Sequence, residues 1–211
     1  EQTVMSGLHL DKRLSPVINN QRIEPGILTY LRAGIGYGGS CFPKDTLALR
    51  RFAQSIGAPT HMLNATITTN DERTQRIVSL LEHAIGPVQG ARVAVLGLAF
   101  KPGTDDTRNS PGIRLGQELV KRGADVQAWD PLVSDGPNSD FSVSNDILTT
   151  LQDAEIAVIA TAWPQLITFD WPAGCEVMAS PVIFDGRSII PPSALPKNCR
   201  HLGIGKAPSN D

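Results

Sequence analysis

Residues 92–97 read RVAVLG, in which an apolar run of strand length follows the arginine and ends at a glycine. An unbroken apolar run is typical of a strand in a parallel sheet that is covered on both faces. Downstream, Ser110-Pro111 predicts the start of a helix that ends at Gly123, and Asp125–Trp129 predicts the next strand. A strand, a helix and a second strand in this order are typical of an α/β fold.

The same alternation continues toward the end of the chain. Residues 147–154 are predicted to be helical, and three more strands are predicted at residues 155–161, 181–185 and 201–204. Strands that alternate with helices form parallel sheets of the Rossmann type. We therefore predict a Rossmann-like parallel-sheet domain over residues 89–211.

The residues before this domain predict helices instead. One helix starts near Pro43 and stops at Gly57, because proline suits a first helical turn and glycine suits a helix end. A second helix opens at Ala58-Pro59 and runs to about Ile85, where Gly86-Pro87 ends it. Residues 1–88 are therefore predicted to form a separate helical region.

The second predicted helix is long for so small a region. At 1.5 Å per residue it measures roughly 40 Å from Pro59 to Ile85. Its two ends are apolar, whereas its middle, residues 66–74, is polar. A helix of this kind does not easily bury its faces alone, so we predict a homodimer in which the partner subunit covers it.

Composition excludes several classes of protein. The 211 residues are 41% hydrophobic and 19% charged with a formal net charge of -2, so no nucleic-acid partner is predicted. No stretch of these residues looks like a signal peptide or a membrane span. Three scattered cysteines (Cys41, Cys175 and Cys199) argue against a disulfide framework and favour the reducing cytoplasm. The cysteines and the four scattered histidines predict no metal site.

The strongest chemical motif is GYGGSCFPKD at residues 36–45. It places Cys41 just before a helix N-terminus, where the helix dipole and Lys44 favour a thiolate. The glycines allow the backbone to approach a ligand closely. Asp45 lies about one turn beyond Cys41, where its carboxylate could position a water. The competing interpretation is a turn and a helix cap with an inert cysteine.

Two further loops place cations at strand ends. The loop after residues 92–97 lacks the glycine fingerprint of dinucleotide binding, yet it carries Lys101 and Arg108 at the edge where open α/β sheets bind ligands. Asp130 follows the next strand, where dinucleotide folds place a ribose-binding acid, although a turn before Pro131 explains it equally well. Asp185-Gly186-Arg187 follows a third strand. Solvated loop charges remain the alternative for all three cations.

Taken together, three blocks of this sequence resemble the UDP-glucose/GDP-mannose dehydrogenase family. GYGGSCFPKD is followed by VAVLGLAFKPGTDDTRNSP and later by FDGR, and the segment Tyr30-Leu31-Arg32-Ala33-Gly34 points to the UDP-glucose branch. The resemblance implies an N-terminal NAD-binding domain, a central helical dimerisation region and a Rossmann-like UDP-binding domain. The chain starts at Glu1 and matches only the last two, so we expect it to lack the NAD domain and to be inactive alone.

The resemblance also implies an activity and the residues that perform it. Family members oxidise the C6 alcohol of UDP-glucose to a carboxylate with two NAD, through a thiohemiacetal and a thioester on the cysteine. Cys41 is thus the expected nucleophile, and Asp45 the residue that orients or activates water. Lys44 and Arg108 match NAD-contacting positions. The expected contacts to the UDP-sugar are Tyr30, Leu31, Arg32, Ala33, Gly34, Gly38, Phe100, Lys101, Arg187 and, reaching from the partner subunit, Arg22.

Three alternatives stay open on the sequence. A GDP-mannose dehydrogenase fragment would carry closely similar blocks. A nucleotide-binding dimerisation module would use the same fold without chemistry. A different thiol enzyme would need a histidine base, and His61 is the nearest histidine in sequence to Cys41.

Overall fold

A computed structural model of the chain describes residues 2–23, 25–26, 28, 32, 34–134 and 140–205, with the side chains of residues 2 and 3 excluded. These residues form two compact units, Glu1–Gly34 and Ile35–Asp211. The first unit contains helix α1 (Gln2–His9) and an antiparallel pair, β1 (Val17–Ile18) and β2 (Gln21–Arg22). Asn19 and Asn20 join the two strands with φ of 49° and 61°. Two positive φ angles are typical of a type I′ hairpin turn, which asparagine tolerates.

The second unit holds two long helices followed by a repeating pattern of strands and helices. In chain order its elements are α2 (Phe42–Ser55), α3 (His61–Ile85), β3 (Arg92–Leu96), α4 (Pro111–Lys121), β4 (Asp125–Trp129), β5 (Ser142–Ser144), α5 (Ile147–Leu151), β6 (Ile156–Ile159), α6 (Pro164–Ile167), α7 (Trp171–Val177), β7 (Val182–Asp185), a 3-10 turn (Pro192–Ala194) and β8 (Arg200–Gly203).

Six strands form one parallel sheet in the order β5-β4-β3-β6-β7-β8. The predicted parallel α/β fold is therefore confirmed. Numbered within the sheet, this is the order 3-2-1-4-5-6 of the doubly wound Rossmann fold. The order reverses between β3 and β6, and ligands of such sheets bind at that point, beyond the carboxyl ends of the strands.

The apolar runs of the sequence form the centre of this sheet. Strands β6 and β7 are buried at every position, and β3 at every position after Arg92. Val93 pairs with Val126 on one side and with Ile156 on the other. Fully burying one aliphatic side chain of this size contributes roughly 1.5–3 kcal/mol, which explains why the continuous runs occupy the middle of the sheet.

Helix α3 is covered in part by its own chain. Ile77, Val78 and Leu81 on its C-terminal half join the main hydrophobic core at 2% exposure or less. On its N-terminal half Met62 is 82% exposed, and helix α2 has no buried residue. Exposed apolar surface on these two helices is therefore concentrated on α2 and at the start of α3.

Candidate functional site

Cys41 lies at the exposed N-terminal end of α2. It is the N-cap residue, but its side chain makes no capping hydrogen bond. Its Sγ lies 3.7 Å from the Ser40 hydroxyl, and its carbonyl accepts a hydrogen bond of 2.8 Å from the backbone N–H of Asp45. Since the thiol is not used to cap the helix, it stays accessible at the positive end of the helix dipole.

Two predicted site residues next to the thiol pair with each other. Lys44 Nζ lies 3.0 Å from Asp45 Oδ1, and both side chains are exposed. The hydrogen bond that Lys44 donates to Asp45 raises the pKa of Lys44 above its usual value, with a smaller Coulombic contribution from Cys41. Lys44 is therefore within electrostatic reach of the thiol and stays charged at neutral pH.

A second cation near the thiol is the predicted residue Arg108. Its guanidinium donates to both carboxylate oxygens of Asp106, at 2.9 and 2.7 Å. This pairing lowers the pKa of Asp106 to about 2. The pKa of Arg108 is raised, mainly by Asp106 and to a smaller extent by Cys41. Asp106 was not predicted from the sequence, although its spacing of two residues from Arg108 was a usable signal.

The glycines of the loop that leads to Cys41 (residues 35–41, the thiol loop) are packed against the loop that follows β3. A Cβ on Gly38 would lie 2.3 Å from the Asn109 carbonyl oxygen, and one on Gly39 would lie 2.9 Å from the Phe100 ring. The Gly39 N–H donates to the Arg108 carbonyl at 2.8 Å, and the Asn109 amide donates to the Gly39 carbonyl at 3.1 Å. The GYGGSCFPKD block and the loop of the VAVLGLAFKPGTDDTRNSP block are therefore packed and hydrogen-bonded to each other.

The thiol loop is also held from two helices. The Tyr37 N–H donates to Asn70 Oδ1 of α3 at 2.8 Å, and its carbonyl accepts from Asn70 Nδ2 at 3.3 Å and from Arg114 of α4 at 3.1 Å. Neither Asn70 nor Arg114 was singled out from the sequence. They lie 33 and 77 residues from Tyr37 in the chain, so no local pattern pointed to them.

Phe100 and Lys101 lie at the carboxyl edge of the sheet, where they were predicted. The Lys101 Nζ lies 5.5 Å from the centroid of the Phe100 ring, within cation–π range. The Ala99 carbonyl accepts a hydrogen bond of 2.6 Å from Thr161, which follows β6. The loop after β3 is thereby fixed at the point where the strand order reverses.

The third block, at Arg187, also reaches the thiol loop through a glycine. A Cβ on Gly186 would lie 2.4 Å from a methyl carbon of Ile35 and 2.7 Å from the Ile159 carbonyl. The buried carboxylate of Asp185 accepts the backbone N–H of Arg187 at 3.0 Å and that of Ile190 at 2.8 Å. Burial raises the pKa of Asp185, but the nearby His201 side chain and the backbone N–H groups of Ile190 and Arg187 outweigh it, so the pKa lies below its usual value.

Asp130 has a structural role, because its carboxylate is bonded within the protein and is not available to a ligand. Its side chain is 1% exposed, and Oδ2 accepts from the Leu98 and Ala99 N–H groups at 2.7 and 2.9 Å and from the Trp163 indole at 2.9 Å. Oδ1 accepts from the Leu132 and Val133 N–H groups. The interpretation of Asp130 as an acid available to a ribose is therefore wrong, because all five hydrogen bonds are internal.

The remaining predicted residues are placed as follows. Tyr30, Leu31 and Ala33 lie outside the described residues. Arg22, Arg32 and Gly34 belong to the first unit, where the Arg22 guanidinium donates to the carbonyls of Leu10 and Ser15 at 3.0 and 3.4 Å.

Metal coordination and membrane insertion leave no signature in the described part of the chain. Within those ranges, no group of three or more His, Cys, Asp and Glu side chains is arranged to hold a metal ion. Of the helices that the structure describes, none combines the length and apolar character needed to span a bilayer.

Comparison with known proteins gives a consistent result. The sequence model of the central domain of the UDP-glucose/GDP-mannose dehydrogenase family matches residues 2–72, and that of the family's UDP binding domain matches residues 94–192. The UDP-glucose 6-dehydrogenase of Rhizobium meliloti is 34% identical over 210 residues, which cover 97% of this chain and 45% of that protein. UDP-glucose 6-dehydrogenase AglM of Haloferax volcanii is 39% identical over 164 residues, 76% of this chain and 37% of that protein.

Solved structures agree with these relatives. A UDP-glucose dehydrogenase from the archaeon Pyrobaculum islandicum has a TM-score of 0.78 at 35% identity, over 97% of this chain and 43% of that chain. A GDP-mannose dehydrogenase from Pseudomonas aeruginosa, at 21% identity and a TM-score of 0.68, shares the fold. The chain spans less than half the length of the relatives it matches. With both domain models matched in order, the chain belongs to the UDP-glucose/GDP-mannose dehydrogenase family and is similar to UDP-glucose 6-dehydrogenases.

Proposed function

We propose that this chain provides the nucleophilic thiol and the nucleotide-sugar contacts of an NAD-dependent UDP-glucose 6-dehydrogenase, with Cys41 as the nucleophile. The observation that carries the proposal is the exposed Cys41 thiol, which makes no capping bond and has Lys44 and Arg108 within electrostatic reach. Catalytic cysteines of other enzymes lie in accessible places of this kind, beside cationic side chains. The names of the relatives support UDP-glucose as the substrate.

The proposed chemistry at Cys41 follows from the properties of sulfur. The thiolate attacks the C6 aldehyde of the oxidised sugar and forms a thiohemiacetal, which becomes a thioester by loss of a hydride from C6 and a proton from its hydroxyl. Water then adds to the thioester carbonyl, the C–S bond breaks, and the carboxylate product leaves with the thiol restored. Cysteine suits both steps because it is nucleophilic near neutral pH and leaves readily from an acyl group. Bound NAD, which Lys44 and Arg108 would contact, would supply acceptance of the hydride.

The other site residues have supporting roles in this proposal. Asp45 orients or activates the attacking water, and its ion pair with Lys44 fixes the direction of its carboxylate. Gly38, Phe100, Lys101 and Arg187 contact the UDP-sugar, which fits their position at the carboxyl edge of the sheet. The roles of Arg22 and of residues 30–34 rest on the resemblance alone.

The proposed division of labour keeps the boundary near residue 88. Residues 1–88 carry the thiol and the dimerisation surface, and residues 89–211 bind UDP. The family match over residues 94–192 supports the second assignment.

The sheet of this chain does not fit NAD in the manner of a dinucleotide fold. In such folds the backbone N–H groups of the first turn bind the pyrophosphate, and here Asp130 already accepts the N–H groups of Leu98 and Ala99. Lys44 and Arg108 are exposed cations that fit contacts to NAD phosphates from another domain. We therefore propose that the 211-residue chain, assayed alone, does not reduce NAD.

Calorimetry on the purified chain tests the nucleotide assignment. Binding of UDP and UDP-glucose, with weaker or no binding of GDP-mannose, is the expected result. Tighter binding of GDP-mannose would favour the second branch of the family. Binding of none of the three would contradict the proposed UDP-binding role.

Replacement of the thiol tests the nucleophile. In a longer protein that joins this chain to an NAD-binding domain, Cys41→Ser should abolish production of UDP-glucuronate, whereas Cys199→Ser should leave it unchanged. NADH formation from UDP-glucose, followed at 340 nm, measures both variants. Turnover of the Cys41→Ser protein near that of the parent would remove the thioester mechanism, and NADH formation by the 211-residue chain alone would contradict its proposed inactivity.

We also propose a homodimer. The sequence predicted it through the helix from Pro59 to Ile85, and the exposed apolar side chains extend this surface to α2. Phe42, Leu49, Phe52 and Ile56 are each at least 53% exposed and follow a helical spacing. Such a row of apolar side chains is typical of a helix face that packs on a partner.

A further inference from the structure

The backbone of Tyr37 is bonded on both sides by side chains from distant elements. The Asn70 amide of α3 accepts its N–H at 2.8 Å and donates to its carbonyl at 3.3 Å. Arg114 of α4 donates to the same carbonyl at 3.1 Å. Tyr37 thus receives from one amide the pair of hydrogen bonds that a neighbouring strand would otherwise provide.

Asn70 suits this task chemically. Its side chain is 8% exposed in the otherwise polar middle of α3. An amide offers an acceptor and a donor in one plane, whereas a carboxylate accepts only. Asparagine is a weak helix former, so nothing in local helix propensity favours it at this position.

The contact leaves little space around the loop. A Cβ on Gly36 would lie 2.9 Å from Asn70 Oδ1, and the φ of Gly36 is +125°. Beyond Tyr37, Gly38 and Gly39 are fixed by Asn109 and Arg108, and the Tyr37 ring lies 5.9 Å from the Phe42 ring, centroid to centroid. Because the segment between Tyr37 and Cys41 is short and constrained, a shift of the Tyr37 backbone should also shift Cys41.

We propose that Asn70 and Arg114 are positioning residues that hold Cys41 beside Arg108 by fixing the backbone of Tyr37. The importance of this positioning for turnover rests on the proposed role of Cys41 as nucleophile. The position of the thiol relative to Arg108 does not depend on that role and can be measured without it.

The test measures the electrostatic surroundings of the thiol. Cys41 in the 211-residue chain is alkylated with anionic iodoacetate and, separately, with neutral iodoacetamide, and peptide mass spectrometry follows Cys41 alone. The ratio of the two rates reports nearby positive charge. In Asn70→Ala, which changes no charge, the ratio should fall about twofold or more, since a thiol displaced from Arg108 attracts the anion less. Asn64→Ala on the exposed face of α3 is the matched control and should keep the parental ratio.

A second variant and a second measurement guard against loss of folding. Arg114→Lys retains the charge and one donor and should keep most of the ratio, whereas Arg114→Gln should lower it. Hydrogen exchange should show faster exchange of the Gly39 amide in Asn70→Ala and in Arg114→Gln. An unchanged ratio and unchanged Gly39 exchange in both folded variants would overturn the proposal. Because neither measurement needs nucleotide or NAD, failure of the proposed dehydrogenase function leaves this result interpretable.

Discussion

Gly39 illustrates how a single residue combines two constraints in the thiol loop. Its φ is +80°, a conformation that costs a residue with a side chain roughly 1–2 kcal/mol. A Cβ at this position would also lie 2.9 Å from the Phe100 ring, closer than packed carbon atoms lie. The first constraint is a property of the backbone, and the second belongs to the contact between two sequence blocks.

The two constraints can be separated by experiment. Gly39→Ala should lower the free energy of unfolding by the conformational cost and a further 1–3 kcal/mol or so for overpacking against Phe100. Gly103→Ala is the matched control, because Gly103 has a φ of +79° and a Cβ added there would meet no atom within 4 Å. Urea denaturation of both variants measures the difference. Equal losses would show that Phe100 yields and that the contact adds nothing.

At the scale of single residues, the sequence predicted the residues of the thiol motif but not the side chains that hold the motif in place. Cys41, Lys44 and Asp45 are neighbours in the chain, so a helix N-terminus is enough to bring them together. Asn70 and Asn109 act on the loop through tertiary contacts over 33 residues to Tyr37 and 70 residues to Gly39. Such distances are set by the packing of α3 and of the sheet, which no local pattern specifies.

At the scale of elements, β7 ends on a buried charge that organises the loop after it. Asp185 is 0% exposed, and its Oδ2 lies 3.8 Å from His201 Nε2 on β8. Its two backbone hydrogen bonds, to Arg187 and Ile190, set the path of the loop. The carboxylate is therefore stabilised in its charged form, in agreement with its lowered pKa.

A lowered pKa in the folded state gives a defined pH dependence. The stabilisation by Asp185 is fully present above the unfolded pKa of about 3.9 and is lost as the pH falls through the lower folded value. Asp185→Asn leaves one backbone N–H without an acceptor and should cost about 1–3 kcal/mol near neutral pH. The cost should shrink as the pH falls below about 4, because the parent then loses its charge too.

Urea denaturation across this pH range, followed by tryptophan fluorescence, measures the effect, since Trp129, Trp163 and Trp171 are buried in the same unit. Asp125→Asn, on the 71% exposed side chain at the start of β4, serves as the control. A cost for Asp185→Asn that is constant with pH would contradict the assignment.

The elements that the sequence predicted well are those with a strong start or stop. Helix α3 ends at Ile85 before Gly86, whose φ is +87°, and β4 has the predicted bounds Asp125–Trp129. The helix predicted over residues 147–154 ends earlier, at Leu151, because Asp153 has a left-handed φ of 59°. Strand β5 was missed, since three partly exposed residues at the sheet edge carry no apolar run.

At the scale of the molecule, the exposed apolar row on α2 allows the proposed homodimer to be tested. A single Phe52→Asp replacement puts a charge in the middle of the exposed apolar row, where Phe52 is 62% exposed. Burial of an unpaired charge in an interface is strongly unfavourable, so the dimer dissociation constant should rise at least about tenfold. Sedimentation velocity over a range of concentrations measures this constant.

Ile167→Asp is the control for the dimer experiment, since Ile167 is a comparably exposed apolar residue on α6. It should leave the dissociation constant unchanged. A parent chain that is monomeric at all concentrations, or a dimer that tolerates Phe52→Asp, would refute the dimer surface on α2.

The five hydrogen bonds of Asp130 show that the topology of a sheet does not by itself identify the ligand that the sheet binds. The strand order of this sheet is that of a dinucleotide binder, yet a side chain of the protein holds the position where such a binder would receive a cofactor anion. Sheet topology alone would therefore suggest a dinucleotide at a turn whose N–H groups are already bonded to Asp130. To engineer a dinucleotide site at this turn, Asp130 would first have to be replaced. The Trp163 indole, which donates to Asp130, would then need another acceptor.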